Sequence, residues 1–431
     1  MNTLLVREFG PRQGISASAA TLGLTAERLR IALTEVGGRV ALTLGILDSV
    51  EFYGDTFRVG GTAGILQATP GLQLEIMPKF LEGGDPTWRE DFFVIANLVK
   101  FGRILPKEAL PRIASRSKTL SDLVGRAAVY LFDQRSRNPV REYRRRSWVS
   151  PDLDGDPEPE SLLIPDEDGF LQEGSVFDRI NPVNRVMADA FEALGTQVAD
   201  GDVRRQLQLR RYRLGDQSVE RFRPRTKLPP RQRNWQPLYD LSRDVLRGFA
   251  TDYWHSAVGG KRGSLPGYLI DTTRAWEHLI YTALRIALGP KAVEKRAYDL
   301  GTRQYIGGRK AVVQVTPDVS IHPLPTVLID AKYKTLDTKT GAWIKSSDLY
   351  EALAFSRASG IKRVVLLYPQ GGASDPTNPP GSGDVVESIE VGEVEVVAAT
   401  VRVAGVGTKG AILKFSSSLA DRVRAFSELR A

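Results

Sequence analysis

Hydrophobic and polar positions alternate over short stretches of the first eighty residues, and this spacing of two predicts β-strands. A helical spacing interrupts the alternation at residues 25–36, and it becomes the dominant pattern between residues 88 and 132. The first third of the chain is therefore predicted to be an α+β region. Its strand-like segments are TLLVREF (3–9), RVALTLGILDSV (39–50), FRVGGTAGILQA (57–68) and LQLEIMPKF (72–80).

The last third of the chain has a different order of elements. A helix is followed by three strand-like segments, a second helix and a fourth strand, and this αβββαβ order is typical of a mixed sheet flanked by helices in an α/β domain. Two further strands, EVEVVAATVRV and GAILKF, and a terminal helix are predicted to follow. The predicted αβββαβ segments are 272–288, 297–305, 310–321, 326–334, 347–358 and 363–369.

Charged stretches and residues typical of turns and linkers divide the part of the chain between these two regions. A basic stretch at 135–147 runs into an acidic, proline-bearing one at 151–169, a pattern typical of a loop, a hairpin or a linker. A helix is predicted after Asn181-Pro182, and a second basic stretch covers 204–233. The glycine-rich GGKRGSLPG segment then predicts a linker. We expect an N-terminal α+β domain, a central helical and linker region for partner docking, and a C-terminal domain, at 1–134, 135–257 and 258–431.

The amino-acid composition limits the kinds of catalytic and metal site that the chain can form. The formal net charge of +8 favours a polyanionic partner. With no cysteine and three histidines that form no local cluster, thiolate catalysis and cysteine-bound metals are excluded and a zinc hydrolase is disfavoured. A metal would need carboxylate ligands, which favours Mg²⁺. No P-loop motif is present. Since neither a signal peptide nor a membrane-spanning apolar run is evident, we expect a cytoplasmic protein without membrane contact.

The strongest chemical signal lies near the predicted strand at 326–334. The apolar residues 327–329 lead into Asp330, and a strand period of two places Asp330 and Lys332 on one face. Asp318 follows Pro317 and lies one hairpin earlier, within the preceding strand-like segment at 310–321. If the two segments pair through the HPLPT turn region, the carboxylates of Asp318 and Asp330 converge beside Lys332.

This constellation suits hydrolysis of a phosphodiester. Asp318 and Asp330 would bind Mg²⁺, the carbonyl of Ala331 would be a further ligand, and Lys332 would stabilise negative charge in the transition state. Glu277, on the preceding helix, would add an auxiliary carboxylate. Other interpretations stay open: an Asp-x-Lys pair is often an exposed salt-bridged ladder, and Glu277 suits a solvated helix face. Turn, surface or packing roles are expected for the three histidines, His255, His278 and His322.

The same residues resemble a known family. Asp318, Asp330 and Lys332, with the αβββαβ order, resemble the PD-(D/E)xK nuclease superfamily, and DAKYK is similar more narrowly to McrC subunits of McrBC-type, 5-methylcytosine-specific restriction systems. The resemblance extends from about residue 50 to 370. Three further segments are similar to McrC: GGTAGILQATPGLQLEIMPKF (60–80), INPVNRVMADAFEAL (180–194) and LIDTTRAWEHLIY (269–281).

The resemblance implies that this chain and a partner protein have different functions in one complex. A partner AAA+ GTPase, similar to McrB, would form a hexameric ring and recognise modified DNA. The present chain would dock on that ring, stimulate its GTP hydrolysis and cut double-stranded DNA with Mg²⁺, for which Mn²⁺ would be a substitute. The two basic stretches suit either a solvated face or contact with DNA or the partner. The candidate contact residues are Arg144, Arg145, Arg146, Arg210, Arg211 and Lys334.

One departure from the family pattern concerns DNA placement. The superfamily often carries a Gln-x-x-x-Tyr helix after the catalytic strand, whereas this chain has Glu351 and Phe355. A glutamate donates no hydrogen bond and repels phosphate, so the helix is expected to position DNA less well. Two alternatives remain: a stand-alone repair or recombination nuclease of the same superfamily, and a non-catalytic activator of an AAA+ ring.

Overall fold

A computed structural model gives the fold of the chain, which consists of two compact units. One unit comprises residues 117–268, and the other combines residues 2–116 with 269–431. Packing between distant segments, not chain order, defines the second unit, so the units differ from the predicted three-part division. The structure describes residues 2–69, 71–81, 87–101, 119–215, 227–249, 267–321, 327–334, 341–370, 378–408 and 410–428.

Both units contain helices and strands. Among the described helices, none has the length and apolar character that crossing a bilayer requires. The helices are α1 (Ile15–Leu22), α2 (Ala26–Leu44), α3 (Trp88–Phe101), α4 (Leu120–Asp133), α5 (Pro159–Leu163), α6 (Pro182–Gln197), α7 (Gly201–Leu214), α8 (Gln236–Phe249), α9 (Thr272–Leu288), α10 (Ser346–Ser359) and α11 (Ala411–Glu428). The strands are β1 (Asn2–Arg7), β2 (Gln13–Gly14), β3 (Val50–Tyr53), β4 (Thr56–Val59), β5 (Thr62–Thr69), β6 (Leu72–Met77), β7 (Glu142–Ser150), β8 (Asp156–Pro157), β9 (Phe170–Asp178), β10 (Gly267–Asp271), β11 (Val293–Glu294), β12 (Tyr298–Gln304), β13 (Lys310–Val315), β14 (Val319–Ile321), β15 (Val327–Ala331), β16 (Arg363–Pro369), β17 (Val385–Val391) and β18 (Val394–Val401).

The unit of residues 117–268 packs helices α4, α6, α7 and α8 around aromatic side chains. Phe132 meets both Phe191 and Trp235 edge to face, each pair with ring centroids 5.7 Å apart. Helix α6 begins where the sequence predicts, because the side chain of Asn181 accepts the Asn184 N–H at 2.9 Å and Pro182 occupies the first turn. The basic stretch at 135–147 overlaps β7, which pairs with β9 over nine residues; we call these two antiparallel strands the β7–β9 hairpin.

The other unit contains the larger sheets. A four-stranded sheet has the order β1-β6-β5-β10, and a six-stranded sheet has the order β11-β14-β15-β16-β18-β17. Strands β15, β16 and β18 run parallel, whereas β14 and β17 pair antiparallel at the two flanks. Every residue of β15 is buried, as is typical of a parallel strand in a sheet whose two faces are covered by helices. The fold is a mixed α+β arrangement, as predicted.

The predicted pairing near residue 318 is present, with one change. Strand β14 runs antiparallel to β15, with Val319 opposite Ile329 and Ile321 opposite Val327. The predicted single strand over 310–321 is instead split: β13 ends at Val315 and pairs with β12 in a separate two-stranded ribbon. Pro317 lies at the break, and its missing N–H explains why the ladder does not continue.

Two strand predictions were wrong. Residues 39–44 continue helix α2, whose buried Leu29, Leu33, Val36 and Val40 follow a spacing of three to four. The GAILKF segment likewise opens helix α11. In both segments a short apolar run satisfied the strand pattern locally, and only the longer spacing identifies the helix.

A single main-chain carbonyl connects the helix and the strands at the carboxyl end of β15. The fully buried Trp276 of α9 donates its indole N–H to the Leu367 carbonyl at 3.1 Å. The amide of Lys332 donates to the same oxygen at 2.9 Å. Helix α9, the end of β15 and strand β16 are thereby held together at the residues that the sequence analysis singled out.

Candidate functional site

Asp318 and Asp330 lie side by side at the end of the β14–β15 pair. Extending the register by one residue beyond Val319 and Ile329 places Asp318 opposite Asp330. The Oδ2 atom of Asp318 accepts the main-chain N–H of Ala331 at 3.0 Å, which ties this carboxylate to the peptide that follows Asp330. Both side chains are buried, since Asp318 is 9% and Asp330 is 6% exposed. The predicted convergence of the two carboxylates is therefore observed.

Lys332 lies against this pair. Its Nζ atom is 2.5 Å from Oδ2 of Asp330 and 2.6 Å from Oε2 of Glu351 on helix α10. The ammonium therefore bridges the candidate metal ligand and the glutamate that replaces the family's glutamine. The Lys332 side chain is 12% exposed, and a charge buried to this extent is stable only with close partners. The alternative of an exposed Asp-x-Lys ladder does not fit this burial.

A second lysine at the site was missed by the sequence analysis. Lys295, just after β11, donates from Nζ to Oδ1 of Asp318 at 3.0 Å. Strand β11 pairs with β14, with Glu294 opposite Ser320, and this pairing brings Lys295 to the carboxylate. The residue belongs to no motif and lies 23 positions from its partner. Only the sheet order could have identified it.

The charges of the site act strongly on one another. Burial raises the pKa of Asp330 to about 7. The positive charge of Lys332 opposes this rise, and the negative charges of Asp318 and Glu351 add to it. Burial and the negative charge of Asp318 also raise the pKa of Glu277 on α9. Burial lowers the pKa of Lys295, but the hydrogen bond to Asp318 and the negative charges of nearby carboxylates together raise it above its ordinary value. The cluster concentrates negative charge, which an additional cation would relieve.

The donor set fits a hard divalent cation. Asp318 and Asp330 offer carboxylate oxygens, and Ala331 is the last residue of β15, next to both. Within the described ranges, no three acidic or histidine side chains converge as a ready-made metal centre. Mg²⁺ typically uses one or two protein carboxylates and keeps several waters, so the two carboxylates suffice for it. Glu277 lies within electrostatic reach of Asp318 but is not part of a three-carboxylate cluster.

A buried polar cluster, which we call the Glu8 cluster, holds the residue after Lys332. Oε2 of Glu8 accepts the Tyr333 hydroxyl at 2.5 Å and the Lys79 amide at 3.1 Å, and Oε1 accepts the Thr272 hydroxyl at 2.5 Å. The Lys79 ammonium donates to the Tyr333 carbonyl at 3.0 Å. Burial raises the pKa of Glu8 and lowers that of Lys79 to about 8. The cluster fixes the chain where it leaves the site.

The Glu8 cluster could not be identified from the sequence. Glu8 is separated from Thr272 by 264 positions and from Tyr333 by 325. Lys79 lies in the 60–80 segment that is similar to McrC, but the resemblance gives this residue no role. The structure supplies one: the ammonium also lies 3.9 Å from the centroid of the Tyr333 ring.

The remaining predicted contact residues fall into two groups. Lys334 and Arg210 have close acidic partners, since Lys334 Nζ lies 2.5 Å from Oδ1 of Asp348 and Arg210 forms two hydrogen bonds with Asp133. Arg144, Arg145 and Arg146 lie on β7, where Arg145 pairs with Glu173 at 3.0 Å, and Arg211 pairs with Glu192 at 3.0 Å. In the first pair, the side chains of Arg210 and Lys334 are 13% and 40% exposed, whereas those of Arg145 and Arg211 in the second group are 80% and 51% exposed.

His278 is the histidine that lies within the described residues. Burial lowers the pKa of His278, whose ring lies 6.4 Å from that of Tyr281, as expected for a packing residue. His255 and His322 lie outside the described residues, as does the HPLPT turn.

Comparisons with known proteins define the family. The sequence profile of the McrBC 5-methylcytosine restriction system component family matches residues 57–369, well over half of the chain. The chain therefore belongs to this family, and the predicted kinship with McrC is confirmed. No curated protein matches the chain.

Two solved structures are similar to the chain. A refined half-complex from the tetradecameric assembly of Thermococcus gammatolerans McrB AAA+ hexamers with bound McrC shares 15% identity. The match has a TM-score of 0.69 and covers 98% of this chain and 100% of that one, so the fold is shared. A cryo-EM structure of the Thermococcus gammatolerans McrBC complex shares 14% identity over 66% of this chain and 87% of the other, with a TM-score of 0.48.

The Glu8 cluster generates a stability prediction. Replacing Glu8 with alanine would leave buried donors of Thr272, Tyr333 and Lys79 without their acceptor, and each such group costs about 1–3 kcal/mol. We expect Glu8→Ala to lower the free energy of unfolding of the full chain by about 3 kcal/mol or more, measured by chemical denaturation. Glu8→Gln keeps one acceptor oxygen and should lose less. Equal stability of Glu8→Ala and the unaltered chain would contradict a structural role for this carboxylate.

Proposed function

We propose that this chain is the Mg²⁺-dependent DNA endonuclease subunit of a McrBC-like, modification-dependent restriction system. It would dock on an AAA+ GTPase ring, stimulate GTP hydrolysis and hydrolyse DNA phosphodiesters. The observation that carries the proposal is the Asp318 carboxylate bound at 3.0 Å to the amide of Ala331, beside Asp330 and Lys332. We expect the chain to act in the cytoplasm, where DNA and GTP are available.

The arrangement around the site supports a PD-(D/E)xK nuclease core. Helix α9 packs through Trp276 on the sheet, β14 and β15 form the antiparallel pair that carries the two aspartates, and β15 continues in parallel to β16. Helix α10 supplies Glu351 to the same site. The ribbon of β12 and β13 interrupts the simple αβββαβ scheme, because it does not belong to the six-stranded sheet.

Each residue would have a distinct role in hydrolysis. Asp318 and Asp330 would hold the metal through their carboxylate oxygens, with the Ala331 carbonyl as a further ligand. Bound Mg²⁺ would supply Lewis-acid stabilisation of the phosphate and a more acidic water. Lys332 would turn its ammonium to the phosphate oxygens, giving up one carboxylate contact. Glu277 would orient water from α9.

Partner contact is the proposed role of the unit of residues 117–268. In the Thermococcus gammatolerans assembly, McrC is bound to McrB AAA+ hexamers, which supports a ring as the partner. The β7–β9 hairpin exposes Arg145 and Arg146 together with Tyr143 and Phe177, whose rings lie 4.8 Å apart. Exposed arginine and aromatic side chains together are typical of interface anchors. These residues would contact the ring, and the DNA would lie at the other unit.

The nuclease assignment predicts a catalytic loss in the variant Asp330→Asn. Metal binding supplies several kcal/mol to phosphodiester cleavage, so we expect the rate to fall by about 100-fold or more. The measurement is cleavage of methylated plasmid DNA by the full chain with its AAA+ partner, GTP and Mg²⁺. EDTA should abolish cleavage by the unaltered chain, and Mn²⁺ should restore it.

The matched control is Asp421→Asn on the exposed surface of α11, which should cut at the unaltered rate. Stimulation of the partner's GTP hydrolysis should be preserved in Asp330→Asn. Full cutting by Asp330→Asn would overturn the assignment, whereas cutting without any partner would favour a stand-alone nuclease. If cells that carry Asp330→Asn keep their full protection by the restriction system, the chain would instead be a non-catalytic activator of its partner.

The contact between Glu351 and Lys332 predicts an effect on DNA affinity. Glu351→Gln removes a negative charge next to the expected phosphate position and releases Lys332 from one of its two acidic partners. We expect the variant to bind a DNA duplex about three- to tenfold more tightly at low salt, since about 1 kcal/mol is ordinary for one exposed charge contact. Fluorescence anisotropy in EDTA provides the measurement, and weaker binding would contradict the prediction.

Changes in the β7–β9 hairpin should impair docking on the partner separately from DNA cleavage. Reversing the charge at Arg145 and Arg146 should reduce stimulation of the partner's GTP hydrolysis by about tenfold or more, because like charges at an interface cost several kcal/mol. The control, Arg28→Glu combined with Arg424→Glu, also reverses two exposed charges but lies outside this unit, and it should have little effect. Full stimulation by the hairpin variant, measured at sub-saturating concentration, would exclude the hairpin from the interface.

A further inference from the structure

A two-stranded ribbon projects from the chain immediately before Asp318. The β12–β13 ribbon, residues 298–315, pairs Tyr298 with Val315 at its base and Gln304 with Lys310 near its tip. The Tyr305 amide donates to the Arg309 carbonyl at 2.8 Å, and Gly307 and Gly308 have positive φ values of 104° and 84°, which close a tight turn. The ribbon shares no ladder with the six-stranded sheet.

The base of the β12–β13 ribbon is fixed beside the candidate metal ligands. The Tyr298 hydroxyl donates to Oγ of Ser320 on β14 at 3.1 Å, and Tyr298 and Val315 pack against the hydrophobic core around Phe355. The chain passes from Val315 to Asp318 in three residues. With about 3.3 Å per residue, the two six- to seven-residue strands extend about 20 Å from this base. A ligand that lies along the ribbon thus also reaches the site.

The exposed part of the β12–β13 ribbon is positively charged. Arg303, Arg309 and Lys310 lie at its outer end, and within the described ranges none of them forms an ion pair. The single acidic residue of the ribbon, Asp299, accepts a hydrogen bond from Gln314 at 2.8 Å. With three basic residues and one acidic residue, the ribbon has a formal charge of +2. Charge complementarity therefore favours a polyanion as its occupant.

The tip of the β12–β13 ribbon adds apolar contact. Ile306 is fully exposed and Tyr305 is 44% exposed, next to the three cationic side chains. An isolated exposed isoleucine is unremarkable on its own. At the end of a narrow basic ribbon, however, it is placed to contact base edges while the cations contact the flanking phosphates. The major groove of B-DNA, about 12 Å wide, admits a two-stranded β-ribbon, and the minor groove of about 6 Å does not.

We propose that the β12–β13 ribbon lies in the major groove of double-stranded DNA and holds the duplex against Asp318 and Asp330. Arg303, Arg309 and Lys310 contact phosphates on both sides of the groove, and Ile306 contacts base edges. Most of these contacts are independent of DNA sequence, so the ribbon positions the duplex and the partner selects which DNA is bound. The inference rests on the proposed nuclease function and assigns its DNA-positioning surface, which helix α10 with Glu351 is poorly suited to provide.

The test is duplex binding by the full chain in EDTA over a range of salt concentrations. Replacing the three basic residues of the ribbon with glutamine should weaken binding at low salt by tenfold or more. The slope of log K against log salt concentration should fall in magnitude by about 2.7, since each lost phosphate contact removes about 0.9. The control removes the same charge from exposed helix positions, through Arg28→Gln, Lys414→Gln and Arg424→Gln.

The groove assignment has its own test. Netropsin, which fills the minor groove, should leave binding unchanged, whereas methyl green, which occupies the major groove, should compete. Ile306→Ser should weaken binding without changing the salt slope, because it removes no charge. Displacement by netropsin alone would overturn the assignment to the major groove.

Other outcomes would overturn the proposal as a whole. They are unaltered affinity and slope in the ribbon variant, an equal loss in the control variant, and an absence of duplex binding by the unaltered chain. Loss of binding to the AAA+ partner with DNA binding intact would instead make the ribbon a protein interface. If the ribbon variant binds normally while Asp330→Asn abolishes cleavage, the nuclease proposal stands without the ribbon. Cleavage by Asp330→Asn would refute the nuclease proposal, whatever the ribbon does.

Discussion

Two carboxylates held side by side away from water are the constraint on which the candidate site depends. Asp318 and Asp330 repel each other, and burial makes their charges costly unless cations and hydrogen bonds are near. The fold supplies Lys295 at 3.0 Å from Asp318, Lys332 at 2.5 Å from Asp330, and the Ala331 amide. Strand β15 brings most of these groups together because its end is pinned at the Leu367 carbonyl. When Glu277 and Glu351 are included, four carboxylates face two lysines, and a bound Mg²⁺ would balance the two remaining negative charges.

The two ends of the chain share one compact unit, and the Glu8 cluster connects them next to the candidate site. Tyr333 follows Lys332 directly, and its hydroxyl and carbonyl are held by Glu8 and Lys79 from the N-terminal strands. Thr272, the first residue of α9, donates to the other oxygen of Glu8. A buried polar cluster of this kind stabilises the fold when its members are hydrogen-bonded, and a partner left unsatisfied is costly. The N-terminal strands therefore buttress the candidate site as well as forming a sheet of their own.

Local patterns predicted the parts of the site that lie within one stretch of chain. The apolar run before Asp330, the period of two and Pro317 were enough to expect Asp318, Asp330 and Lys332 together. Lys295, Glu8 and Lys79 act across sheet pairings that no local pattern encodes. The strand predicted at 39–50 failed because its apolar residues also fit the helical face of α2. Glu351 was noticed as a departure, but its contact with Lys332 depends on how α10 packs.

Metal binding by the full chain tests the central claim most directly. Calorimetric titration with Mn²⁺, in the absence of DNA and partner, should show saturable binding in the unaltered chain and in the surface control Asp421→Asn. The double variant Asp318→Asn, Asp330→Asn should lose that binding while its thermal unfolding stays cooperative. Equal Mn²⁺ affinity in the double variant and the unaltered chain would contradict the account, because the metal would then be held elsewhere.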